Sequence, residues 1–441
     1  MQEAKPNLVS TVPVYRTHLR FLIAKQRFLP AQIMLSNLLL ACLFWTTILT
    51  NGGSPIRSVL LSSQTYSQMI GIRTTNLSDG AGYQVFIPGY LVVAGLLLTT
   101  AFAMRPRRII IKVSAITMFF GILVAISTLT SFNQLSTLND AWAIGFTIPC
   151  AMVFAVKLIS SNIKGAFQIS TVQLLVILCI VVGILRLPSG LFDRGAPFYV
   201  CGPIVWGWLM AVGILCLVDV RSGLPKLQQL LYFSVLGSGL LMSDSRGPVL
   251  CLIFSYVCTS PFRLSKYTQI LVLAAVLTIL ISTSDFESRL IYTLSDLNTV
   301  LSNVRFEYLG LVIPDNPESW ILGNGARHFG FVEPTGLLQY PHNVFLEALD
   351  YYGVIAMLVL MFVVVKAMWV ATRFFKSMII FFSLALCLSG DLSYLRYLLP
   401  WCLLVLMGAR KSRQWLASGL PLESRTKKGV LSQSLAKLNI Q

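Results

Sequence analysis

Along the chain, long apolar runs alternate with short polar breaks. The runs cover residues 29–50, 86–104, 109–131, 141–159, 169–187, 200–219, 226–242, 247–260, 268–284, 344–371, 378–390 and 392–408. Most approach the length of about 20 residues that a helix needs to cross a hydrocarbon core of roughly 30 Å. Helices satisfy their backbone polar groups internally, as a segment in lipid must. The pattern predicts an all-α integral membrane protein of about 12 transmembrane helices. A cytoplasmic basic arm covers 1–28, the polytopic membrane domain 29–408, and a cytoplasmic basic tail 409–441. Two pairs of runs are short. Runs 226–242 and 247–260 share the break Ser243-Asp244-Ser245-Arg246-Gly247-Pro248, and runs 378–390 and 392–408 share Ser389-Gly390-Asp391. Such breaks belong at the membrane interface or in a wet cavity.

One connection is far longer than the others. It runs over 285–343, between helices 9 and 10 of the predicted order. Smaller ones cover 51–85 and 188–199, the latter with Asp193 and Arg194. Within the long loop, Leu290, Leu294, Leu297, Leu301, Val304 and Tyr308 recur at spacings of three and four. That predicts an amphipathic helix on the outer membrane boundary or on the bundle.

Charge orients the pattern. Arg105, Arg107 and Arg108 follow the second run, Lys157 and Lys164 the fourth, and Arg221 and Lys226 the sixth. Arg263 and Lys266 follow the eighth, Arg373 and Lys376 the tenth, and Arg410, Lys411 and Arg413 the last. Every even-numbered exit is basic, so the positive-inside rule puts these exits and both termini in the cytoplasm. The odd-numbered connections then face outward, including the Arg246 break and the long loop. The net charge of +17 therefore points to loop orientation rather than to nucleic acid. Only 12% of residues are charged, against about 25% in soluble domains. The nine cysteines lie in or beside apolar runs without C-x-x-C spacing, which suits packing and not a metal site. The first 28 residues spread five basic side chains through a mixed segment, which is not the form of a cleavable signal.

Candidate chemistry is sparse. His18 lies in the basic arm, and His328 and His342 in the long loop. No H-E-x-x-H, Walker A or G-x-S-x-G pattern occurs, which argues against a zincin, a P-loop engine or an α/β hydrolase. The long loop holds Arg289, Arg305 and Arg327 among seven acids and no lysine. Arginine presents a planar fork that binds phosphate bidentately. Arginines converging at the outer surface, Arg246 among them, would suit a lipid pyrophosphate. Outward arginines also snorkel or pair with acids, and that alternative stands for Arg289 and Arg327. His342 precedes a long apolar run. The positive end of a helix dipole favours a neutral imidazole there, the form a general base requires. Glu347 follows Asn343 by four positions and should share its helix face. Alternatively, Pro341-His342-Asn343 is a capping turn at the membrane surface.

These residues carry a family resemblance. Ser243-Asp244-Ser245-Arg246-Gly247-Pro248 resembles the S-R-G segment of the bacterial O-antigen polymerase and ligase superfamily. Arg305, then Pro317, then Gly323-Asn324-Gly325 resembles its R…P…G-x-G stretch in the large periplasmic loop. His342-Asn343-Val344-Phe345-Leu346-Glu347, followed by Tyr352-Gly353, is similar to its H-N-x-x-L-E…G signature. The similar region covers roughly residues 170–400, and the first 160 residues match in hydropathy alone. Arg396 in the last run resembles a further family feature more weakly.

The resemblance implies a glycosyltransferase in the bacterial inner membrane, with its active site on the periplasmic side. Its donor would be an undecaprenyl-pyrophosphate-linked glycan, with no metal or other cofactor. It implies pyrophosphate binding by Arg246 and Arg305, with Arg194 as a poorer match to a further arginine. His342, or Glu347 behind it, would take the proton from the acceptor hydroxyl, supported by Ser245, Asn343, Gly323 and Gly325. Arginines pre-placed in a water-poor cleft would stabilise the charge that grows on the leaving pyrophosphate. The acceptor would be a second lipid-linked glycan for a polymerase, lipid A-core for a ligase, or a protein hydroxyl. The Ser-Arg-Gly-Pro and His-Asn-x-x-Leu-Glu segments favour the polymerase, for which a chain-length regulator protein is an expected partner. From another class, a secondary transporter or lipid-linked sugar flippase would show related halves and mid-membrane charges. Here the halves differ, and Lys112, Lys157, Arg186 and Asp219 lie near run ends, where snorkelling is expected of them.

Overall fold

The structure is a computed structural model that describes residues 31–56, 81–104, 108–129, 134–161, 165–192, 198–220, 224–259, 317–325, 343–390 and 392–409. Among these residues there are helices and turns and no strand. The helices are α1 (Ala31–Leu49), α2 (Ala81–Ala103), α3 (Arg108–Ile126), α4 (Gln134–Trp142), α5 (Ile148–Ile159), α6 (Ala166–Arg186) and α7 (Pro203–Val220). After them come α8 (Lys226–Met242), α9 (Arg246–Thr259), α10 (Pro317–Leu322), α11 (Val344–Val370), α12 (Arg373–Ser389) and α13 (Leu395–Ala409). Among the described residues, five segments are long and apolar enough to cross a membrane: Gln32–Leu49, Thr137–Ile159, Ala166–Ser189, Pro203–Val220 and Val344–Val370. The architecture is that of an α-helical membrane protein.

Several boundaries differ from the hydropathy pattern for physical reasons. The run expected at 141–159 starts earlier, because α4 continues through a π turn at Ala143–Thr147 into α5. The turn accommodates a close approach. A Cβ on Gly121 of α3 would stand 2.7 Å from Gly145 Cα, so the two helices meet backbone to backbone. α12 begins at Arg373, not 378, which takes Arg373 and Lys376 out of the connection and into the first helical turn. The predicted run at 268–284 and the amphipathic segment 290–308 lie outside the described residues.

α7 sits at the centre of the second half. Val205 to Gly213 are buried without interruption, and α6, α8, α9 and α12 all pack on this helix. Small residues let its neighbours close in. Gly213 faces Leu236 and Leu175, and Gly239 of α8 faces Cys179 and Met210. Trp206 Nε1 donates to Gly239 O at 2.8 Å, which satisfies the indole in an apolar interior. A second packing centre joins the two ends of the chain. Phe44 of α1, Phe167 of α6 and Trp401 of α13 meet edge to face, with centroids 5.3–5.5 Å apart.

Several helix ends meet in pairs. Asn51, after α1, bonds to Asn139 at the start of the fourth run (Nδ2 to Oδ1, 3.1 Å). Ser127, after α3, contacts the hydroxyl of Tyr352 in α11 at 3.5 Å. Arg186, at the end of α6, reaches Met242 O at the end of α8. Arg396 Nε donates to Ile48 O at 2.7 Å, and Nη1 to Ser393 O at 2.6 Å. This pins the end of α1 to the turn before α13. At the other end of the bundle, Gln168 Nε2 donates to Asp219 Oδ2 at 3.2 Å.

Candidate functional site

The break between α8 and α9 is a built turn. Ser243 is fully buried, and its Oγ donates to Leu240 O at 2.6 Å, which closes the last turn of α8. The same Oγ accepts the Ser245 N–H at 3.3 Å. Asp244 takes a left-handed conformation (φ 43°), which a short polar side chain tolerates better than most. The chain then re-enters a helix at Arg246. Gly207 of α7 lies directly beneath. A Cβ there would stand 2.7 Å from Pro248 Cγ and 2.9 Å from Ser243 Oγ. The turn thus rests on bare backbone, and Arg246 emerges from it half-buried as the first residue of α9.

Arg186 adds a positive charge nearby. Although it lies near a run end, it does not snorkel and is fully buried. Its guanidinium lies 3.9 Å from the ring centroid of Phe198, and a long contact of 3.5 Å links Nη1 to Met242 O. Cation–π stacking offsets part of the desolvation of the charge. Hydropathy alone could not separate this burial from snorkelling, since both occur near a span end.

The start of α11 is a hub. Asn343 has extended backbone (φ −144°, ψ 111°), and its Oδ1 accepts the N–H groups of Phe345 and Leu346 at 3.0 and 3.3 Å. It is the N-cap, which satisfies donors that the first turn leaves unpaired. Glu347 N donates to Asn343 O at 2.9 Å, the first hydrogen bond of the helix. Glu347 is fully buried, and its Oε2 accepts the Leu392 N–H at 2.7 Å. Leu392 opens the short helical turn Leu392–Tyr394 before α13. The carboxylate therefore holds the break that follows α12.

The Gly-Asn-Gly segment docks on the same hub. Asn324 Nδ2 donates to Asp350 Oδ1 at 2.8 Å, and Asn324 N to Asp350 O at 2.5 Å. Gly323 (φ 78°) lies against the backbone of Tyr351 so closely that a Cβ would collide with it. Gly353 (φ 81°, ψ 177°) interrupts α11, and a Cβ there would collide with Ile321 O. Gly325 also has positive φ, at 89°. Gly323 and Gly353 are required by left-handed backbone and close approach together. Sequence reasoning missed Asp350. Its only signal is an acid three positions after Glu347 in an otherwise apolar helix.

Both segments, the Arg246 turn and the start of α11, touch the region where α12 ends. A Cβ on Gly247, next to Arg246, would lie 4.0 Å from Leu388 Cδ1 in the last turn of α12. Four residues further on, Leu392 bonds to Glu347. The Arg246 turn thus borders Leu388 in the last turn of α12, and Glu347 is bonded to Leu392 just beyond it. Arg194, Arg305 and His342 lie outside the described residues. Among the described residues, no group of three or more His, Cys, Asp or Glu side chains forms a metal-binding arrangement.

Comparison with protein-family models and with curated proteins returned no match.

Proposed function

We propose that the protein is a membrane glycosyltransferase that polymerises polyprenyl-pyrophosphate-linked oligosaccharide units at the outer face of a bacterial inner membrane. The observation that supports this reading is that the Arg246 turn borders Leu388, in the last turn of α12, while the capped start of α11 is bonded to Leu392, four residues on. A cation on a fixed turn suits the phosphate of the donor, and the residue before a helix N-cap suits a neutral proton acceptor. Arg246, with Arg305 and Arg194 from the outer loops, binds the pyrophosphate and stabilises the charge that grows as the glycosidic bond breaks. His342 takes the proton from the attacking hydroxyl. Glu347 Oε2 is committed to the Leu392 N–H, so its role is to hold the break after α12. Twelve spans, cytoplasmic termini and an outward loop at 285–343 belong to this reading.

The test is the glycan profile of a deletion strain complemented with the gene. Loss of long chains with single-unit transfer retained supports the polymerase. Loss of all attached units assigns a ligase that uses lipid A-core as acceptor. An unchanged profile refutes the reading, and accumulation of lipid-linked units on the cytoplasmic face would assign a flippase.

A further inference from the structure

The first turns of α11 carry two fully buried carboxylates, Glu347 and Asp350. They lie three residues apart and so lean toward one face of the helix. Each serves a different connection. Glu347 holds the break after α12, while Asp350 holds the Gly-Asn-Gly segment that follows α10. The second attachment is specific. It uses a side-chain amide on a carboxylate, a backbone N–H on a backbone carbonyl, and two glycines whose replacement the backbone leaves no room for. Asp350 O takes the Asn324 N–H just before Gly353, where the helical ladder is interrupted, so the kink and the docked segment depend on each other.

We propose that Asp350 is a positioning residue for the transfer reaction: through Asn324 it fixes segment 317–325 to the start of α11 and so sets the orientation of the Asn343-capped turn, which His342 precedes in the sequence. This rests on the glycosyltransferase reading. Asp350 acts without touching substrate. Its carboxylate accepts the Asn324 amide, the docked segment covers the kink, and the kink sets the direction in which α11 begins. Misorientation of a reacting group lowers turnover far more than it lowers substrate affinity.

The pair can be reversed chemically. Asn324→Asp alone places two carboxylates face to face in a buried site. Asp350→Asn alone leaves two amides, which can still form one bond. The double variant Asn324→Asp/Asp350→Asn restores an amide on a carboxylate with donor and acceptor exchanged. Three measurements on the full chain separate the outcomes: folded yield by size-exclusion chromatography, amide hydrogen exchange of peptides covering 317–325, and initial rates of glycan extension at varied lipid-linked donor. The expected result for Asn324→Asp is fast exchange in 317–325, kcat lower by about tenfold or more and KM within about threefold, at near-normal folded yield. The double variant regains slow exchange and most of kcat. Slow exchange in Asn324→Asp, or no recovery in the double variant, overturns the positioning role. If exchange follows the pair but no variant or wild-type protein extends glycan, docking stands, while the positioning role and the glycosyltransferase reading fall together.

Discussion

The Oε2 atom of Glu347 accepts the backbone N–H of Leu392 at 2.7 Å, 45 residues along the chain and across the start of another helix. Glutamine can keep that bond through its side-chain carbonyl, while alanine leaves a buried donor unsatisfied and a void. Glu347→Gln is expected to keep glycan extension within about threefold of wild type. Glu347→Ala should cost about 2–4 kcal/mol and reduce folded yield. Thermal unfolding in detergent together with the glycan profile checks both. A folded but inactive Glu347→Gln protein would assign the proton-accepting role to this carboxylate instead.

Arg246 is expected to act through its fork of donors. Arg246→Ala should reduce extension by about 10²–10³ while membrane insertion is unchanged. Arg246→Lys keeps the charge and loses bidentate contact, so it should remain well below wild type. Full activity with lysine would exclude bidentate phosphate recognition.

Gly207 tests whether the turn itself matters. Alanine would press on Pro248 and Ser243 from below. Gly207→Ala should lower extension by about tenfold with modest loss of stability, because the displaced atoms carry Arg246. Gly237→Ala, where a Cβ meets nothing within 4 Å, is the matched control. It should be neutral or more stable by up to about 1 kcal/mol.

Arg396 is buried, bonds to Ile48 O, Ser393 O and Ser393 Oγ, and lies 4.9 Å from the ring centroids of Tyr394 and Tyr397. Arg396→Gln removes the charge and most of these contacts. A loss of about 3 kcal/mol in unfolding free energy is expected, with premature exchange at the end of α1. Arg396→Lys should recover only part of this, since an ammonium cannot match the guanidinium's fixed donors and ring stacking at once.

Apolar runs made the helical class legible. The contacts Asn51–Asn139, Ser127–Tyr352 and Glu347–Leu392, each between distant parts of the chain, were not. The Ser243–Arg246 turn and the Asn343 start could be read because serine, glycine, proline and asparagine mark helix ends locally. What remained hidden is non-local. Nothing near Asp350 in the chain announces Asn324, 26 residues away. Nothing near Gly207 announces Pro248. The π turn at Ala143–Thr147 has no composition of its own and follows from the approach of Gly121. The burial of Glu347 and its bond to the distant Leu392 N–H leave no trace in the local pattern either.

The two 17-residue helices α8 and α12 both pack on α7, and each is only about 26 Å long. The kinked α11 runs to 27 residues. A hydrocarbon layer of about 30 Å meets a shorter wall beside α7 than it meets along α11, and a mismatch of that sign is relieved by local thinning of the bilayer. In such a layer the headgroups next to the Arg246 turn would be drawn inward. A lipid-linked phosphate arriving from that side would descend toward the protein without leaving its own leaflet.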